Sequence, residues 1–321
     1  MDINNLNSLF YSKVDEVFKS SGLADFFTKI EPIQSALATK IEKLIPKKLI
    51  RVKELGSGAD LTRWKIISKL RLKSKWQVIL TDFSDKSIPN EKILSVRENF
   101  HIRSEKHDLL NPVPLLKEKD RYDAILATYV FDSIWFPQDA HYEKLGNDWY
   151  KTIYNLEVDK SYPKRKLLLK ALKNDSSSES MQIEQFQHIF IKKRQDKVDI
   201  NKVPYGGLIS NYYKNKHKVS LNFPGGLINV IQEIFEKQIS KGGVFIVGDM
   251  AVNTKKELMD DYGTSGKVAK FKVEDYGLAA IILRQKGIDV ELVTVEDFIK
   301  NSGYEVPLKV RDHWIMSVRK A

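Results

Sequence analysis

From Leu49 onward, short apolar runs alternate with stretches of helical spacing, and this rhythm leaves the chain few folds to choose from. LIRVKEL is followed by TRWKIISKL, WQVILTD, FHIR and YDAILATYV. Apolar runs of this kind, linked by helical patterns, are the signature of a parallel sheet covered by helices. The rhythm stops after Phe136. It resumes with LINVIQEIFEKQIS, which follows Pro224-Gly225-Gly226, and continues with GGVFIVGD. A helix near Tyr276 to Lys286, a short helix in TVEDFIKNSG and two last strands, YEVPLKV and HWIMSVRK, complete the pattern. The expectation is one α/β domain formed by 49–136 and 224–321, with an insertion, 137–223, after its fourth strand. Residues 1–48 read as a helical extension. Leu9, Phe10, Val14, Val17 and Phe18 recur at helical spacing, and a second run covers Ile33 to Ile45.

Composition excludes several classes. A chain of 321 residues with 42% hydrophobic and 30% charged residues carries enough apolar side chains for a sizeable core. It has no cysteine, which removes disulfide frameworks, zinc-thiolate sites and thiol nucleophiles together. Its six histidines are dispersed, so no metal site is expected. The N-terminal MDINNLNSLFYSKVDEVF lacks the basic and then apolar order of a signal peptide. No charge-free stretch approaches the ~20 apolar residues of a membrane span. The expectation is a soluble, cytoplasmic protein.

The net charge of +11 is concentrated in the insertion. Lys160 to Ser220 holds fourteen Lys and Arg against five Asp and Glu, with Tyr162, Phe186, Phe190, Tyr205, Tyr212 and Tyr213 interleaved. Such a mixture suits an acidic partner or a nucleic-acid surface; it also describes a solvated lysine-rich segment. Ahead of it, HYEKLGNDWYKTIYNLEV reads as a β-hairpin turning at Gly146-Asn147, and NDSSSES, Asn174 to Ser180, as a mobile loop.

Residues with chemical potential lie at the ends of the expected strands. Glu54-Leu55-Gly56-Ser57-Gly58-Ala59-Asp60 follows one strand and precedes a helix, where glycines let a backbone approach a ligand closely. A third glycine at the dinucleotide spacing is absent, Leu61 standing there, and no GxxxxGK[ST] sequence exists. The acidic residue ending this strand suits a cationic ligand better than a pyrophosphate. Asp82 closes the second strand, where a carboxylate can accept both hydroxyls of a ribose. Asp108, in His107-Asp108-Leu109, follows the third, where it can receive an adenine amino group. Asp132 comes just past the fourth strand, as a base or as a helix cap. Asp249 ends GGVFIVGD as a weaker candidate.

ELGSGAD, TDFSD, HDLL and YDAILATYVFD, in this order and spacing, resemble the class I S-adenosylmethionine-dependent methyltransferases. The resemblance runs from about Leu49 to Phe136 and from about Leu227 to Lys320. It implies a Rossmann-like sheet of seven strands with the last pair antiparallel, and S-adenosyl-L-methionine as cofactor. By the same resemblance Glu54, Gly56, Ser57 and Gly58 cradle the methionine part and Asp82 with Phe83 holds the ribose. Asp108 and Leu109 then frame the adenine, and Thr128 closes the site from the fourth strand. Asp60 stands where many members have a third glycine.

Thr128-Tyr129-Val130-Phe131-Asp132-Ser133-Ile134, followed by a hairpin with Trp149, resembles more narrowly the MidA family, which includes a mitochondrial-type protein-arginine methyltransferase. Thr128-Tyr129 replaces that family's Asn-Glu pair. This resemblance implies a protein side chain as acceptor, with Asp132 and Tyr129 as the catalytic candidates. RNA, bound through the basic insertion, is the alternative acceptor. A non-catalytic binding or assembly factor on the same fold is the other.

Overall fold

The computed structural model describes residues 30–58, 61–82, 100–128, 130–131, 134, 136–171, 173, 188–249, 251–252, 274–307 and 314–319. In chain order its elements begin with α1 (Glu31–Leu44), β1 (Leu49–Leu55), α2 (Thr62–Lys69), β2 (Lys75–Asp82), β3 (Phe100–Lys106) and β4 (Tyr122–Thr128). Next come β5 (Ala140–Leu145), β6 (Asp148–Val158), α3 (Arg165–Ala171), β7 (Ile189–Val198), α4 (Gly206–Tyr212) and β8 (Lys218–Phe223). The last are α5 (Gly225–Lys237), β9 (Ile239–Asp249), β10 (Ala251–Val252), β11 (Glu274–Asp275), α6 (Tyr276–Gln285), β12 (Asp289–Thr294), α7 (Val295–Asn301) and β13 (Trp314–Arg319). The chain divides into two compact units. One spans Gly22–Phe131, Leu227–Ala251 and Ala279–Ala321, and the other includes Asp132–Gly226 and Val252–Leu278.

The first unit holds a seven-stranded sheet in the order β12-β13-β9-β4-β1-β2-β3. β1 pairs in parallel with β2 and β4, and β4 with β9, whereas β13 runs antiparallel to both β9 and β12. Alternate residues of the strands face opposite helical layers. Val52, Val78, Leu80, Ala124, Leu126 and Ile246 share a core with Ile33, Leu37 and Ile41 of α1 and with Trp64, Trp76 and Phe100. Burying these strands on both sides explains why they read as continuous apolar runs.

One expectation about this sheet is corrected. YEVPLKV is not the sixth strand: Tyr304 to Pro307 has no regular structure, and 308–313 lie outside the described residues. The sixth strand is β12, DVELVT, which follows Gly287 at φ +75° and pairs along its whole length with β13. Pro307 lacks the N–H that a strand at this place would donate. The helix expected from Leu9 to Phe18 and the loop at Asn174 to Ser180 lie outside the described residues.

The second unit is built on a four-stranded antiparallel sheet, β7-β6-β5-β8. The hairpin expected at Gly146-Asn147 joins β5 to β6, with Gly146 at φ +63°. Two strands beyond the hairpin complete the sheet. The charged run IFIKKRQDKV is β7, paired with β6 from Trp149–Val198 to Val158–Ile189, and KVSLNF is β8.

Candidate functional site

The turn after β1 is sewn to the carboxyl end of β2. Ser57 N–H donates to Thr81 O at 2.9 Å, Thr81 Oγ1 to Glu54 O at 2.7 Å, and Gly58 N–H to Asp82 Oδ2 at 3.1 Å. Gly56 and Gly58 sit at φ +59° and +61°, the left-handed region that glycine enters without steric cost. A Cβ on Gly56 would come within 2.7 Å of Val130 Cγ2, whereas one on Gly58 meets nothing within 4 Å. The first glycine is therefore needed for close packing against the segment that follows β4. The second leaves space above the turn.

Beneath the turn lies a buried ionic network that the sequence did not disclose. Arg63 of α2, 1% exposed, pairs through Nη1 with Glu54 Oε1. It also donates through Nε to Gln34 Oε1 at 3.0 Å and through Nη2 to Thr128 Oγ1 at 2.7 Å. Trp64 Nε1 donates to the other Glu54 oxygen, Oε2. Both oxygens of Glu54 are thus engaged by protein, and one guanidinium ties α1, the end of β1 and the end of β4 together. A sequence signal existed in hindsight: Arg63-Trp64 sits nine and ten residues after Glu54, on the inner face of a helix whose other buried residue is Ile67.

Asp82 is buried, and its backbone carbonyl accepts His107 N–H at 2.8 Å, which places the His107-Asp108 turn beside the end of β2. Asp108 closes that turn on itself: Oδ1 accepts Leu110 N–H at 2.9 Å and Oδ2 accepts Asn111 Nδ2 at 3.2 Å. Leu109 is buried below it. Burial, with repulsion from Lys53, pushes the His107 imidazole down to about 4, so it is neutral at pH 7. Lys53 lies on the opposite sheet face from Glu54. Its ammonium donates to Gln238 Oε1 at 3.3 Å and stands 5.3 Å from the Tyr122 ring centroid. Burial lowers it to about 8.

The structure brings Glu54, Gly56, Ser57, Gly58, Asp82 and Thr128 together through these bonds, with Asp108 and Leu109 adjoining through His107. Phe83, Tyr129 and Asp132 lie outside the described residues. So does the side chain of Asp249, although β9 ends there as expected. Phe131 is fully buried edge-on to Phe245, 6.4 Å between centroids. Among the described residues no group of three or more His, Asp or Glu is placed to hold a metal ion. No described helix is long and apolar enough to cross a membrane.

In the other unit, Trp149 is a core residue, packed edge-on to Tyr213 with the Lys144 ammonium over its ring. Tyr213 OH donates to the buried carboxylate of Asp275, whose second oxygen accepts Leu278 N–H at 2.8 Å. On the opposite face of this sheet, His141 Nδ1 lies 2.6 Å from Asn222 Oδ1, and its Nε2 lies 3.2 Å from Glu143 Oε1 and from Ser220 Oγ.

No protein-family model matches this sequence, and no curated protein does. Solved structures match it at low identity. A Burkholderia thailandensis protein bound to S-adenosyl-homocysteine, and taken to be a methyl transferase, is 8% identical with a TM-score of 0.52, covering 91% of this chain and 77% of that one. The plantazolicin methyltransferase BpumL in complex with SAH is 9% identical, with a TM-score of 0.46 and coverage of 99% and 96%. CurJ carbon methyltransferase is 11% identical at a TM-score of 0.41, and this chain spans 57% of its length. The likeness at TM-score 0.52 and the sheet, with its last pair antiparallel, define the class: this is a Rossmann-like methyltransferase fold.

Proposed function

We propose that the chain is an S-adenosylmethionine-dependent methyltransferase. The observation that carries this reading is the junction of the Gly56-Ser57-Gly58 turn with Asp82, at the carboxyl edge where sheets of this type receive ligands. The residues present fit the cofactor. Gly58 leaves room for a ligand against the backbone, and Asp82 supplies a carboxylate for ribose hydroxyls. The His107-Asp108-Leu109 turn adds a neutral imidazole, a carboxylate and an apolar floor for a base. When bound, the cofactor supplies a methyl group on a sulfonium sulfur, which keeps the C–S electron pair as an acceptor's lone pair takes the methyl.

The chain's own part is positioning. Glu54, with both oxygens engaged, braces the turn through Arg63 and Trp64 and steadies Thr128 at the end of β4. Asp132 is proposed to take the acceptor's proton where the acceptor arrives protonated, and Tyr129 to orient a flat substrate. The MidA-like reading, with a protein side chain as acceptor, draws support from the hairpin at Gly146. It draws none from Phe131 or Trp149, which are spent on packing within their own units.

Calorimetric titration with S-adenosylmethionine and S-adenosyl-homocysteine tests the cofactor. Binding of both by the wild-type chain, weakened in Asp82→Ala, is the expected result; no binding of either refutes the reading. Transfer of label from methyl-labelled cofactor into lysate, separated into protein, RNA and small-molecule fractions, tests catalysis. Binding without transfer to any fraction assigns the chain to the non-catalytic alternative.

A further inference from the structure

The structure divides the cations of the basic insertion into two kinds, a division invisible in the sequence. Three of those on β7 are neutralised where they stand. Lys192 pairs with Glu157 at 3.2 Å, Arg194 with Asp196 at 2.9 Å and Lys197 with Asp148 at 2.9 Å. Those around α3 are not. Lys160, Lys164, Arg165, Lys166, Lys170 and Lys173 are all exposed, no acidic residue interrupts Lys160 to Lys173, and none of the six has an ion pair among the described residues.

The local frame holds these charges outward. Asp159 N–H donates to His188 O at 2.8 Å, and the Asp159 carboxylate accepts Ser161 N–H at 2.8 Å and Ser161 Oγ at 2.7 Å. Arg165 N–H then donates to Tyr162 O, starting a two-turn helix pinned by the buried Leu168. At the base of this helix the Tyr162 and His188 rings stack, 3.9 Å between centroids and 18° from parallel, and both residues are partly exposed.

We propose that this segment, Lys160 to Lys173 with the Tyr162–His188 stack, binds single-stranded nucleic acid. The six unpaired cations supply the phosphate contacts that dominate such affinity, and the flat aromatic pair supplies a stacking platform for an unpaired base. Three observations separate this occupant from others. Leu167 is the one large apolar side chain α3 exposes, at 65%, too little for a helix that lies in a membrane surface. Helix α3 is about 10 Å long, too short to track a duplex groove. The stacked rings offer a flat face that suits an unpaired base better than an acidic side chain. Lys214, Lys216 and Lys218 form a separate exposed group at the far end of the sheet, beside the Gly146 turn, whose N–H donates to His217 O at 2.7 Å. They lack an aromatic pair of this kind and serve as a control. The proposal extends the functional reading by naming a polynucleotide as partner of the inserted unit, and its test needs no cofactor.

The test is fluorescence anisotropy of labelled 20-mer oligo(U) and oligo(dT) with the full-length chain at 50 and 200 mM salt. If four phosphates are neutralised, affinity falls about 50-fold between the two salts, from a slope near −0.7 per contact on single strands. Replacing Lys164, Arg165, Lys166 and Lys170 together by Gln is expected to weaken binding at least tenfold and flatten the salt slope, and Tyr162→Leu to weaken it about fivefold or more. Replacing Lys192, Arg194 and Lys197 by Gln, or Lys214, Lys216 and Lys218 by Gln, is expected to change it less than about twofold. All substitutions are at exposed or partly exposed positions, and the wild-type salt slope requires none of them. Tighter binding of oligo(U) than of oligo(dT) identifies RNA as the source, and the reverse identifies DNA. No binding overturns the proposal, as does equal loss in the control variants or displacement of oligo(U) by poly(glutamate) at equal charge. None of those outcomes touches cofactor binding, so the two readings fail separately.

Discussion

Replacing Arg63 by Met removes one side chain and strands three partners. Glu54 loses the guanidinium that pairs with Oε1, the Trp64 indole staying on Oε2, while Gln34 Oε1 and Thr128 Oγ1 each lose a donor, at 3.0 and 2.7 Å. Arg63 is 1% exposed and Glu54 4%, so water does not take over the lost bonds. Breaking a buried pair from one side costs about 3–5 kcal/mol, because the remaining charge is uncompensated. Three kcal/mol corresponds to roughly two powers of ten in an opening equilibrium. The variant is therefore expected to lose about a hundredfold in amide hydrogen-exchange protection across β1 and α2, with β5 to β8 unaffected. Glu54→Gln with Arg63→Met removes both charges and keeps an oxygen for Trp64 Nε1. The double variant is expected to be more stable than Arg63→Met alone by at least about 1 kcal/mol. A single variant within about 1 kcal/mol of wild type, or a double variant whose loss equals the sum of the two single losses, would refute the account of the network as one coupled charge pair.

Asp82→Ala is expected to lower affinity for S-adenosyl-homocysteine by about 1–3 kcal/mol by calorimetry, through unpaired ribose hydroxyls and a freed Gly58 N–H; unchanged affinity removes Asp82 from the site. Tyr213→Phe leaves the buried Asp275 carboxylate short of a donor and is expected to cost about 1–3 kcal/mol of protection near Leu278; equal exchange in both proteins contradicts it. Lys53 is depressed to about 8 in the folded chain against an ordinary value of 10.5. The folded state therefore binds fewer protons between those pH values, and stability rises as pH climbs through that window. Lys53→Met is expected to be more stable than wild type at pH 7 in urea titrations, with the gain shrinking toward pH 10.5; a pH-independent difference rejects this. His107, depressed to about 4 from 6.5, stabilises the folded chain above pH 6.5 and loses that contribution as pH falls toward 4. His107→Gln is expected to flatten this part of the acid-unfolding curve, and an unaltered curve rejects it.

What the sequence disclosed follows from how each signal is encoded. β1, β2 and β4 are buried on both faces, so LIRV, VIL and AILA announce themselves as apolar runs, and Asp82 is visible because it ends one of them. The left-handed turn shows as Gly56 and Gly58 because few other residues adopt it. β12 is hard to read from sequence because DVELVT alternates charge with apolar residues at a sheet edge, while YEVPLKV carries the more strand-like pattern despite Pro307. β7 was hidden by the same physics: its charged side chains are matched by Glu157, Asp196 and Asp148, two of them from the neighbouring strand, which no local window contains. The Arg63 network is the sharpest case. A helix reading places arginine outward, and only the tertiary arrangement of Glu54, Gln34 and Thr128 turns it inward.

Asp139 carries a consequence of another kind. One of its oxygens accepts Phe136 N–H at 2.9 Å and the other accepts Gly226 N–H at 2.7 Å, so a single carboxylate clasps the chain where the insertion leaves and where it returns. Gly226 is required there, since a Cβ would fall 2.3 Å from the Phe136 ring, and at Gly225 one would fall 2.1 Å from Gln138 O. An excursion of some ninety residues thus makes almost no net displacement. Holding such a loop shut costs only about 4 kcal/mol of closure entropy, and that cost hardly changes with length. The clasp thus holds Phe136 beside Gly226 whatever length of chain lies between them, so residues added or removed in a turn of the inserted sheet change the closure cost little.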